Sequence, residues 1–402
     1  MSASHPYRIL YANSHPYWGG GAEAVLLKLA SSLDRTRFEP LLLTSKEDSL
    51  AQRFREKGVE TLVVPYGYFR AKAGFWDYNV KGPRALRRIL HSHAVDLVHT
   101  NCDRSIRPLV RAADPLGVPV VSHVHDPTRK WFSRRFLPYL NRASAIIAVS
   151  EWLAELGRAR GVDPTRQHVI YNGTDPEPFR LASAARENTR RALGLASDDI
   201  AIGIFGSLEP RKGQEDLLRS AAHPDLASLR LRFFVVGGEP PGREGYAKSL
   251  VDLAASLAVA DRVTFLGHRD DVPALMAAFD MSVAPFREEG FPGVIVESMC
   301  AGLPVVGYRA GPLIEQVREY RDGLLVEPGD LVSLAAAIRC LAMNPGLRRQ
   351  LGEEALARSR SFTFDRHMDA VHALYDRLLR DRSPRAVTPP RAPTTVHSTS
   401  PS

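Results

Sequence analysis

Cysteine is scarce in this sequence. Its three residues, Cys102, Cys300 and Cys340, are odd in number, scattered and free of CxxC spacing. That argues against a disulfide framework or a thiolate zinc cluster and fits a reducing cytoplasm. Long apolar runs are missing too. None approaches the roughly 18 to 20 residues that span a bilayer, and the opening MSASHPYRILYANS lacks the basic-then-apolar order of a secretory signal. A cytoplasmic protein, neither exported nor integral to a membrane, is expected. Two signatures are also lacking. The glycines near the start do not fall into GxGxxG, which weakens a dinucleotide-binding reading. No DxD-type carboxylate pair stands at a strand end beside the motifs below, so no metal site is expected.

What is present is an ordinary globular composition, 44% hydrophobic and 24% charged, in a chain of 402 residues. That length exceeds what one hydrophobic core sustains, so two domains are expected. Short β-rich runs recur with helix-length segments between them, at 7–12, 40–44, 61–65, 96–100, 119–125 and 145–150, then again at 201–206, 231–237, 263–267, 281–285, 304–308 and 324–326. Runs such as AIIAVS and PVVSHVH are apolar nearly throughout, as parallel strands covered on both faces should be. The α/β rhythm therefore predicts two Rossmann-like, doubly wound parallel sheets with a cleft between them. The segment YNGTDPEPF, with its Asn172-Gly173 turn and with Pro176 and Pro178 expected to prevent regular structure, divides the two series. The expected organisation is a first Rossmann-like domain at 1–178, a second at 179–363, a C-terminal helix at 364–382 and a disordered Pro/Ser/Thr-rich tail at 383–402.

Charge is divided unevenly between these halves. Residues 1–178 hold 25 Lys and Arg against 17 Asp and Glu, which leaves 28 of each sign from the chain totals of 53 and 45. The whole net charge of +8 thus lies in the first half, which suits an anionic partner or simply a solvated surface.

The most informative stretch is EEGFPGVIVESMCAG. Glu289 and Glu297 have seven residues between them, and Pro292 and Gly302 bracket an expected helix over 292–301. Free amides at Gly293 and Val294 would favour a phosphate, and carboxylates accept hydrogen bonds from sugar hydroxyls. Upstream, GIFGSLEPRKGQEDLL reads as strand, glycine turn, basic pair and helix, bringing Arg211 and Lys212 to the carboxyl edge of the second sheet. Near the start, Gly20 and Gly21 follow the first strand and precede a helix expected over 22–30. Taken singly, each of these is more often a cap, an exposed helix start or a flexible turn.

Together, in this order, they resemble the retaining family 4 glycosyltransferases of the GT-B fold, over a span from Tyr7 to about Arg380. The resemblance implies a nucleotide-sugar donor as co-substrate and no further cofactor. It places Glu289 by the sugar hydroxyls, Glu297 on the ribose, Lys212 on the diphosphate, and Gly20 and Gly21 against the donor phosphates and the acceptor. His125 matches the histidine that approaches the transferred sugar, and Phe291 and Ser207 complete the implied donor set. Ser207 stands where many members carry arginine, with Arg211 as a substitute cation. Pro292 stands where many have glycine, which removes one amide donor.

Two further features admit other readings. His123 and His125 should share one strand face and could begin a metal site in a hydrolase, though no further ligands are organised around them. RKWFSRRF, residues 129–136, reads either as a basic aromatic helix resting on an anionic membrane or as one whose aromatics face the core. Nucleic-acid binding lacks any accompanying motif. An epimerase or phosphorylase of the same fold, or a sugar-nucleotide-binding protein without turnover, are the alternative functions.

Overall fold

The computed structural model describes residues 5–13, 20–65, 76–101, 105–127, 133–240, 242–380 and 382. The first sheet contains β1 (Tyr7–Asn13), β2 (Phe38–Thr44), β3 (Glu60–Val63), β4 (Leu97–Thr100), β5 (Val120–Val124), β6 (Ala145–Ala148) and β7 (Gln167–Val169). They lie in the order β3-β2-β1-β4-β5-β6-β7. The second sheet contains β8 (Ile200–Phe205), β9 (Leu231–Val236), β10 (Val263–Gly267), β11 (Met281–Ala284), β12 (Val305–Tyr308) and β13 (Gly323–Val326), in the order β10-β9-β8-β11-β12-β13. Every pairing is parallel. The central strands β4, β5, β6, β11 and β12 are buried at every position, because crossover helices cover both faces, and their residues are mostly apolar or small.

Strand order fixes where a ligand can bind. In each sheet the chain winds one way and then the other, and the crevice opens at the carboxyl ends of the strands where the direction reverses. In the first sheet that point lies between β1 and β4, followed by Gly20 and Asn101 respectively. In the second it lies between β8 and β11, followed by the Ser207–Lys212 turn and the loop to Gly293. These segments, far apart in sequence, meet because the topology leaves no other place for them.

Two sequence expectations are corrected. Pro176 and Pro178 do not prevent regular structure: Pro176 caps and Pro178 opens the helix Glu177–Ala182, where a missing N–H leaves no helical bond unmade. That helix packs on Val272–Ala278 of the second unit. The strand β7 was not anticipated, since QHV offers no apolar run and is only half-buried at the sheet edge. Of 129–136, residues 129–132 lie outside the described residues. Ser133–Phe136 form a turn rather than a helix, and the helix Leu137–Leu140 follows them. The 383–402 tail also lies outside the described residues.

The last helix, Phe364–Leu379, returns to the first unit. Met368, Val371, Leu374, Tyr375 and Leu379 pack in one core with Ile9, Tyr11, Phe38 and Leu42. The outgoing and returning chains are stitched where they cross, Thr174 N donating to Phe362 O (2.9 Å) and Phe364 N to Thr174 O (3.1 Å). If this helix is an integral layer of the first unit, Leu374→Ala should destabilise the protein by about 2 to 4 kcal/mol, measured by urea unfolding. A loss within about 0.5 kcal/mol, as at an exposed site, would mean that the helix is only loosely docked.

Candidate active site

Between the two units lies a cavity of about 870 Å³, lined from the first unit by Gly20, Gly21, Glu23, Lys28, His125 and Asp126. The opposite wall carries Ser207, Arg211, Lys212 and Glu289, continuing through Phe291, Gly293, Val294 and Glu297. The residues that the family resemblance assigns to the donor and the transferred sugar therefore reach one space. His123 does not line it: it lies fully buried in the first unit, its Nδ1 bonded to His99 Nε2 (3.1 Å).

The basic turn is held rigidly. Gly213 has φ +72°, and a Cβ there would stand 2.2 Å from Pro285 O, so only glycine lets the Pro210–Lys212 turn press against the loop after β11. A backbone bond from Arg287 N to Arg211 O (2.9 Å) joins the two loops. Lys212 Nζ then lies 2.6 Å from Glu289 Oε1, and 4.9 Å from the Phe286 ring centre. Arg211 also donates to Glu289 Oε1, and through its other nitrogens to Glu209 (3.1 and 3.3 Å). Burial pulls the Arg211 pKa down, but Glu289, Glu209 and Asp126 hold it above the ordinary arginine value. Ser207 donates to Glu209 Oε1 (2.6 Å), so the residue replacing the family arginine helps orient a carboxylate instead.

Beside this ion cluster the helix Gly293–Cys300 begins. Its cap, Pro292, supplies no side-chain hydrogen bond and its first turn has no acidic residue, which leaves the positive end of the helix facing the cavity. Burial raises the Glu297 carboxyl above the usual range, opposed by Lys28 from the other wall.

On the first unit, Asn101 Nδ2 donates to Ala22 O (3.0 Å), which turns its Oδ1 toward His125 Nε2 at 2.5 Å. His125 therefore carries its proton on Nε2. Burial pushes its pKa down to about 4, so a neutral ring faces the cavity at physiological pH. Behind it the His123 ring lies 4.0 Å away between centres, tilted by 30°, and His99, bonded to Tyr375 OH (2.6 Å), completes a buried row. Asp126 borders the cavity, whose walls raise its carboxyl above the usual range while Arg211 opposes the shift. Sequence reading missed Asn101, Asp126 and Glu209. Asp126 and Glu209 adjoin quoted motif residues, but Asn101 had no local signal. Among the described residues no group of three or more His, Cys, Asp or Glu is arranged to hold a metal, and no helix is long and apolar enough to cross a membrane.

Two facing Rossmann-like units, with a cationic and helix-capped wall opposite a histidine wall, define the class as GT-B. Comparison with known proteins makes the assignment narrower. Residues 19–178 match Glycosyltransferase Family 4, and residues 185–358 match Glycosyl transferases group 1. The chain belongs to the family 4 glycosyltransferases of the GT-B fold. A crystal structure of Anabaena HepE in complex with UDP and glucose is 26% identical, with a TM-score of 0.78 over 92% of this chain and 99% of that one. A glycosyltransferase of Rickettsia africae, 17% identical with a TM-score of 0.82 over 94% and 99%, shares the fold. A D-inositol 3-phosphate glycosyltransferase of Acidothermus cellulolyticus is 34% identical over 55% of this chain and 50% of its own length. That of Mycobacterium marinum is 35% identical over 54% and 47%. The chain thus matches about half the length of these relatives.

The buried histidines make a stability prediction whose sign is fixed. His99 is held down to about 3 and His125 to about 4, both mainly by burial, and His123 well below its ordinary value for the same reason. The unfolded chain then binds more protons than the folded one below about pH 6.5. Their stabilisation is complete above that value and is lost as pH falls toward the folded values, by up to about 1.4 kcal/mol per pH unit per histidine. Urea unfolding between about pH 7 and about pH 5 should show this slope, and His99→Gln should flatten it. An unchanged slope in that variant would mean that His99 is not held neutral.

Proposed function

We propose that this protein transfers a sugar from a nucleoside-diphosphate sugar to a hydroxyl acceptor, with retention of anomeric configuration and without a metal ion. The observation that carries the reading is the convergence of Arg211 and Lys212 on Glu289 beside the uncapped helix at Gly293. The two cations neutralise a glutamate. An entering diphosphate would take them over, and Glu289, released, would face the sugar hydroxyls while Glu297 accepts from the ribose. His125, neutral and oriented by Asn101, would contact the sugar from the other wall. The complexes of HepE with UDP and with UDP-glucose support a uridine donor.

In this reading the bond from the anomeric carbon to the diphosphate oxygen breaks, and the acceptor oxygen bonds to that carbon on the same face. The acceptor's proton passes to the departing phosphate oxygen. Stabilisation of that leaving group by Lys212, Arg211 and the helix end supplies much of the rate. The acceptor lies on the first unit, where the charge excess suits an anionic compound. The phosphate in the acceptor named for the inositol 3-phosphate relatives agrees with this choice. The basic composition of 129–136 suits association with an anionic membrane.

Lys212→Ala should lower turnover by on the order of a hundredfold, since one preorganised charge is worth roughly 3 kcal/mol, with folding retained by circular dichroism. Near-normal turnover at saturating donor would remove Lys212 from this role. Product made from any accepted donor, with and without chelator, should show by NMR the donor's own anomeric configuration and an undiminished yield. An inverted linkage would reject the same-face displacement. Loss of activity to the chelator would mean that a metal shares in neutralising the diphosphate.

A further inference from the structure

The loop that carries Glu289 is gripped from the opposite unit. Gly290 lies so close to the end of β5 that a Cβ there would stand 1.7 Å from His125 O, an approach only glycine permits. Its carbonyl accepts from Ser150 Oγ (2.8 Å), and the same hydroxyl oxygen accepts from Leu153 N (3.1 Å), capping the helix Glu151–Ala159. That helix has two further free amides at its start, and the second unit fills them. Glu315 accepts from Glu151 N through Oε2 (2.8 Å) and from Trp152 N through Oε1 (2.6 Å).

The neighbouring residue ties this contact back to the donor loop. Gln316, fully buried, donates to Pro292 O (3.2 Å), and the Glu315 carbonyl is held by Arg358 (2.8 Å). Tyr171, in the crossing segment, has its phenol raised to about 12 by burial and by Glu315, and its ring lies 5.5 Å from Phe291. Residues 290–292 are therefore fixed from both units, one residue after Glu289.

We propose that Glu315 and Ser150 are positioning residues forming an interdomain clasp. The carboxylate of the second unit caps a helix of the first, and the serine hydroxyl of the first holds the donor loop of the second. The clasp sets the separation between the His125 wall and the Glu289 wall. A helix N-terminus favours a carboxylate through both its free amides and its dipole. These bonds exist only when the units are together, so their energy acts specifically on the closed arrangement. Neither Ser150 nor Glu315 lines the cavity, so the clasp acts on the reacting geometry more than on nucleotide affinity. Its catalytic consequence rests on the transfer reaction proposed above, whereas its structural consequence does not.

Small-angle X-ray scattering of the full chain without ligand tests the clasp directly. Glu315→Ala and Ser150→Ala should each give a larger radius of gyration than the parent, with unchanged circular dichroism, and Glu315→Gln, which keeps one acceptor but no charge, should fall between. In parallel, calorimetric titration with UDP should give an affinity within about twofold of the parent, while kcat falls about tenfold or more because the walls are misplaced. Scattering curves of both alanine variants that superimpose on the parent's would overturn the clasp. So would an expanded variant that keeps full kcat. A parent chain that binds no nucleotide would instead count against the proposed reaction, and the scattering comparison would still decide the clasp.

Discussion

A carboxylate out of water has to be neutralised, and Glu289 is nine-tenths buried. Removing its partners would leave an uncompensated charge in a low-dielectric site, a large penalty. Arg211 and Lys212 supply the compensation, and much of the second unit is arranged to keep them there. The left-handed Gly213 brings their turn against Pro285, and Glu209 anchors the far side of the guanidinium. The loop after β11 is joined to the turn by a backbone bond. The two cations are thus held together by a glutamate at the place where a diphosphate would need them.

The first unit contributes rigidity of another kind. Its wall of the cavity is a neutral, hydrogen-bonded ring backed by two more imidazoles and by Tyr375 of the returning helix. Residues from both ends of the chain therefore support one side chain at the centre. Burial keeps these rings uncharged, so the cationic character of the cleft comes from Arg211 and Lys212 of the second unit and from Lys28 on the first.

How much of this was legible in the sequence depended on the range of the interaction. Strands such as AIIAVS announced themselves because a doubly covered parallel strand must be apolar throughout, and all but one were found. The helix after Phe291 was legible from Pro292 and Gly302, since the rules for helix ends are local. β7 was not, because three half-buried residues at a sheet edge carry no pattern. Pro178 misled because proline disrupts a helix interior but suits a first turn, and only the packing of Phe179 decides between them. Within the site, Glu289, Glu297 and Lys212 were visible as a spaced motif, whereas their pairing was not. The bond from Arg211 to Glu289 joins residues 78 apart and that from Glu315 to Trp152 residues 163 apart. Asn101 stands 24 residues from the histidine it orients. Such pairs follow from strand order, and one sequence does not fix strand order.

The crossing at Thr174 and Thr363 has a mechanical consequence. Two polypeptide strands, rather than one, join the halves, and they are hydrogen-bonded side by side where they pass. A single tether would allow rotation about its own length, but a paired tether resists twisting and yields mainly to bending about one axis. Bending about that axis would part His125 from Gly290 and return them to the same contact.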